Sequence, residues 1–126
     1  MISKKIEIPI YDQNLVVVFY SQDEFEELRN LLFSDYNINL EENNTLGAVY
    51  AKGDTGHIIT WIDIDRENIL AVISHESMHL AGKVFMLIGQ EIDLQQSEIM
   101  AYLTGWMFQT ILDILPKEKI KNRKIA

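Results

Sequence analysis

Two histidines four residues apart, His75 and His79, lie within a stretch of helical periodicity and constrain this chain more than any other feature. Residues at that spacing share one face of a helix, with about 6 Å between side-chain roots, so both imidazoles can serve one point in space. The helix is predicted from about Arg66 to Ile88; Asp63 or Asp65 can cap its start, and Gly89 stops it. Glu76 follows the first histidine, giving His75-Glu76-Ser77-Met78-His79. With only 3 histidines in the chain, composition alone produces such an arrangement in about one chain in a few hundred.

There is no cysteine, so disulfides, thiolate ligands and thiol nucleophiles are excluded, and a metal must be held by imidazole and carboxylate. Two imidazoles so placed can bind one zinc ion at about 2.0–2.1 Å. Water on zinc has a pKa of roughly 7, and Glu76 is placed to take its proton as a general base. The plainer alternative is a pair of hydrogen-bonded, inert histidines on a partly buried helix face.

Zinc needs a third protein ligand and an open fourth position. The chain continues His79-Leu80-Ala81-Gly82-Lys83-Val84-Phe85, so the glycine of an extended three-histidine signature is present but Phe85 stands where its last histidine belongs. That class is excluded. Glu98 is the better candidate, in the early turns of the next helix, after a connection short enough to force an antiparallel helical hairpin. Its face also carries Ala101, Tyr102 and Gly105, and Ala81 and Gly82 on the motif helix are equally small, which permits close approach. A lone carboxylate in an apolar helix is costly to bury unless paired or metal-bound. The competing explanation is a first-turn acid favoured by the helix dipole.

Upstream, Ile6 to Ile10 and Leu15 to Tyr20 flank the turn Asp12-Gln13-Asn14 and read as a hairpin. Ser21 and Glu24 have capping-box spacing and open a helix over roughly 22–33. Gly47 to Lys52 and His57 to Ile64 form a second hairpin around Gly53-Asp54-Thr55-Gly56. On its second strand Ile58, Thr60, Ile62 and Ile64 point one way, and His57, Ile59, Trp61 and Asp63 the other. Asp93 and Gln96 form a further capping box, opening a last helix that ends near Leu115 with Pro116 beyond. The order is ββαββαα, an α+β domain over 1–116 with three helices packed on a small, mostly antiparallel sheet. Residues 117–126 form a basic tail, read as a solvated, frayed end in preference to a docking patch.

The formal charge of −8 would repel phosphate backbones, which argues against nucleic acid as a partner. No apolar signal segment follows the N-terminus, and the apolar stretch Ile99 to Leu115 is broken by Thr104, Gln109, Thr110 and Asp113. The expectation is a cytoplasmic protein with no membrane partner. The last helix is apolar almost all round, which fits central burial or a homodimer face. Met78, Met86, Met100 and Met107 read as core filler, and Trp61 as a packing residue.

An H-E-x-x-H helix followed closely by a helix bearing glutamate resembles the zincin metallopeptidases of the gluzincin type, and the small size resembles short zincin-like proteins of bacteria and bacteriophages. The resemblance covers roughly His57 to Leu115. It implies zinc held by His75, His79 and Glu98, Glu76 as the base, and an extended peptide or protein substrate along strand 57–64. Many gluzincins carry an aspartate four residues after the ligand glutamate; Tyr102 stands there in this chain. His57, Tyr50 and Tyr102 are candidates for an oxyanion donor; for His57 a surface position after a turn is the simpler explanation. Three functions compete: a zinc peptidase acting on a specific intracellular protein, a metal-binding module with a regulatory or interaction role, and a non-peptide metallohydrolase.

Overall fold

A computed structural model describes residues 1–9, 13–40, 47–52, 56–87 and 97–121. The apolar run Asn14–Tyr20 forms β2, paired antiparallel with β1, Ile2–Glu7. β1 begins earlier than the expected Ile6 and ends at Glu7, short of the expected Ile10, which itself lies outside the described residues. From Leu15 to Tyr20 every residue of β2 is buried, so the strand shows no polar alternation. That pattern belongs to a central strand covered on both faces.

The Ser21–Glu24 capping box forms, heading a short 3-10 turn that runs into α1, Phe25–Tyr36. α1 ends three residues beyond the predicted Phe33. Asn37 there adopts a left-handed conformation (φ 56°) and the Ile38 N–H bonds back to the Leu32 carbonyl. β3 (Gly47–Lys52) and β4 (His57–Asp63) pair antiparallel as expected. Gly56 supplies a positive φ of 68° before β4, while residues 53–55 of the predicted turn lie outside the described residues.

The sheet has the order β1-β2-β4-β3. Two of its pairings are antiparallel, but the central β2–β4 pairing is parallel, so the sheet is mixed. The hairpins join through their second strands because α1 carries the chain across before β3, and β4 returns in the direction of β2.

α2 (Ile69–Leu87) and α3 (Ser97–Ile114) pack against each other, with Leu15, Val17, Phe19, Ile58 and Ile62 beneath them in one core. α1 covers the opposite face, where Leu28 and Leu32 meet Val16, Val18, Ile59 and Trp61. The inward and outward alternation predicted for β4 therefore holds, with a helix layer on each side. α2 starts at Ile69, later than the expected Arg66. Asp63 caps a turn instead of the helix: its carboxylate accepts hydrogen bonds from the Asp65 N–H (3.0 Å) and the Gln22 amide (2.7 Å). The expected capping box at Asp93 and Gln96 lies outside the described residues.

Beyond Pro116 the first residues of the basic stretch are not frayed. Lys117–Lys121 form a short α4, Ile120 packs against the α2–α3 core, and the Lys119 ammonium bonds the Asp65 carboxylate at 2.8 Å.

Candidate metal centre

α2 lies over β4 and β3, with Ile73, Ser77, Leu80, Ala81 and Val84 turned into the core. Ser77 is tolerated there because its hydroxyl donates to the Ile73 carbonyl at 2.6 Å, leaving no orphan polar group. His75 and His79 occupy the exposed face of the same helix. Their rings meet edge-on, with centroids 4.7 Å apart at 72°, and their Nε2 atoms are 3.1 Å apart.

That separation tests the fit to a metal. Two zinc–nitrogen bonds of about 2.0–2.1 Å at a tetrahedral angle place their nitrogens about 3.3–3.4 Å apart. The pair lies within a few tenths of an ångström of that span and presents the same ring nitrogen from each imidazole. A direct hydrogen bond between a protonated and an unprotonated Nε2 fits the same distance.

Glu76 is buried, only 7% exposed, in contrast to the exposed histidines on either side of it along the helix. Burial raises its carboxyl above the usual range, and the neighbouring His75 and His79 pull it back down. A carboxylate so desolvated is a stronger base than one in water, and a buried acid at this position carries a cost that packing alone does not repay.

The remaining candidates are dispersed. Glu98 is exposed in the first turn of α3, and among the described residues no three His, Cys, Asp or Glu side chains group closely enough to hold a metal ion. The structure thus brings the histidine pair together and does not bring Glu98 to it. Tyr102 is 75% exposed on α3. His57 lies on the α1 face of the sheet, its ring edge-on to Tyr36 at 5.5 Å, with the sheet between it and α2. It is removed from any oxyanion at the histidine pair. Tyr50 falls on β3, whose side-chain placement lies outside the description.

The substrate strand expected at 57–64 is also corrected. β4 is paired on both sides, to β2 and to β3, so it has no free backbone edge. On that side of the sheet, among the described residues, the strand with a partner on one side only is β3.

A cavity lined by Asp63, Asp65, Arg66, Glu67 and Asn68 opens where β4 leads into α2. Sequence reasoning did not single it out, because nothing in that polar turn distinguishes a cavity wall from an ordinary loop. Among the described helices none is long and apolar enough to cross a membrane. Comparison of the chain with protein-family models, with curated proteins and with solved structures found no match.

Proposed function

We propose that this chain is a zincin-like, zinc-dependent metallopeptidase acting on a specific intracellular protein. The observation that carries the reading is the convergence of the His75 and His79 Nε2 atoms at 3.1 Å with a buried Glu76 between them in sequence. The sheet supports it as well: α2 packs on β4 and β3, so the motif helix lies next to a strand that, among the described residues, is paired on one side only.

In this reading His75 and His79 supply two ligands and Glu98 the third. A Cβ added at Gly82 would lie 3.9 Å from the Met100 Cε atom. His79 is within one helical turn of that contact on α2, and Glu98 within one turn on α3. When bound, zinc polarises a carbonyl and lowers the pKa of water to about 7. Glu76 accepts a proton from the attacking water and returns it to the leaving amine, so the carboxylate begins and ends ionised. Its partial burial strengthens it for the first transfer. The β3 edge offers backbone N–H and C=O groups that would hold a peptide extended beside α2. Tyr102, exposed on α3, is the donor proposed to steady the oxyanion.

A second reading, a zinc-binding module without proteolysis, is favoured by the exposed Glu98, since no described third ligand yet surrounds the pair. Glu76→Gln separates the two. Cleavage of a peptide library by zinc-loaded protein, followed by mass spectrometry, should fall about 10²–10⁴-fold in the variant. Zinc content should stay unchanged. Cleavage that persists in Glu76→Gln, or none in the wild type, removes the peptidase assignment.

A further inference from the structure

We propose that the cavity where β4 leads into α2 is a binding site for a small organic cation bearing a primary ammonium group. The site does not depend on the zinc reading above, and it lies at the carboxyl ends of the two central strands.

β2 and β4 are parallel neighbours, with Tyr20 and Asp63 as the last pair in their register. β2 leads into α1 on one face of the sheet, and β4 leads into α2 on the other. Where the chain leaves two adjacent parallel strands toward opposite faces, a crevice opens beyond the strand ends, and ligands of open sheets with parallel strands bind there. The cavity is at that point, about 420 Å³ in volume and lined by Asp63, Asp65, Arg66, Glu67 and Asn68. Small-molecule sites span about 300–1,000 Å³.

The surrounding groups select the ligand. Three of the four charged lining residues are acids, and the first turn of α2 carries none, so they do not sit where the helix dipole favours acids most. Among the described residues no three His, Cys, Asp or Glu side chains group closely enough to hold a metal ion. Negative charge spread along a wall suits an organic cation instead. An ammonium already docks on this wall, where Lys119 Nζ lies 2.8 Å from the Asp65 carboxylate.

Tyr20 supplies the buried end. The residue is 1% exposed, and its hydroxyl has no hydrogen-bond partner among the described residues. As the register partner of Asp63 it projects from the same face of the sheet. Burial raises the hydroxyl pKa, Asp63 raises it further and Arg66 opposes, which puts the hydroxyl within electrostatic reach of two residues of the cavity wall. Asp63 is already engaged by the Gln22 amide and the Asp65 N–H. A ligand ammonium would donate to the Tyr20 hydroxyl oxygen and to the exposed Glu67 carboxylate, giving the orphaned group a partner.

Two-dimensional amide NMR of the full chain, titrated at constant ionic strength with putrescine and with N-acetyl-lysine amide, tests this. Saturable shifts centred on Asp63 to Asn68 are expected. Tyr20→Phe keeps the ring and should weaken binding about tenfold or more. Lys119→Met should tighten it by removing the competing ammonium, whereas Lys117→Met, on the same short helix, should leave it unchanged. Tighter binding of putrescine assigns a free amine as the ligand, and tighter binding of the lysine derivative assigns a protein side chain. Shifts that never saturate, or that tetramethylammonium reproduces, overturn the proposal by showing diffuse attraction only. Wild-type affinity in Tyr20→Phe, or equal effects of Lys119→Met and Lys117→Met, overturns it as well.

Discussion

His57 is neither the surface residue that its place after a turn suggested nor a neighbour of the histidine pair. Both of its ring nitrogens are buried without a hydrogen-bond partner among the described residues, against Tyr36 on the α1 face. Burial lowers its pKa, and the Lys5 ammonium lowers it further. The folded protein therefore disfavours the imidazolium. Because the folded pKa is below the unfolded value of about 6.5, the unfolded chain binds more protons as pH falls. Stability is full above that value and is lost as pH drops through the range towards the folded pKa. Denaturant melts of wild type and His57→Phe between pH 7.5 and 5 should show a decline in the wild type that the variant lacks. Identical pH profiles would show that the buried ring does not couple folding to protonation. Sequence alone could not place this ring. Strand alternation assigned His57 to one face of β4, but which helix covers that face depends on a topology that alternation does not encode.

Among the elements, local signals proved the most legible. The Ser21–Glu24 box, the bounds of β3 and the two-faced pattern of β4 all follow from side-chain chemistry within a few residues. The parallel β2–β4 pairing was not legible, because it depends on a crossover whose path no short segment specifies. One clue was present. The unbroken run Leu15 to Tyr20 is what a central strand covered on both faces requires, and it sits poorly in an edge hairpin. α3 divides in the same way. Its buried register from Leu103 to Leu115 follows helical periodicity, whereas the orientation of its first turn depends on the connection before it. The anchoring is testable: Leu103→Ala should cost about 2–5 kcal/mol by cavity formation. Tyr102→Ala should change stability by less than about 0.5 kcal/mol. Thermal and chemical denaturation of the two variants measures both, and a Tyr102→Ala loss as large as that of Leu103→Ala would mean that the first turn is already packed.

Across the whole molecule, one sheet separates two kinds of surface. The α1 face is closed by an apolar cluster, and His57 is tucked beneath α1 there against Tyr36. The α2–α3 face presents the convergent histidines to solvent and buries Glu76 just behind them. The motif spacing revealed the pair because four residues nearly complete a helical turn. It could not reveal the third ligand, which must come from a different helix. The net charge of −8 adds a general attraction for cations but specifies no site. The decisive measurement is therefore metal content: elemental analysis of folded wild type and folded His79→Ala after zinc loading and gel filtration. About one equivalent retained by wild type and none by His79→Ala is the expected result. Metal-free wild type, or equal zinc in both proteins, would contradict the assignment of His75 and His79 as a metal centre.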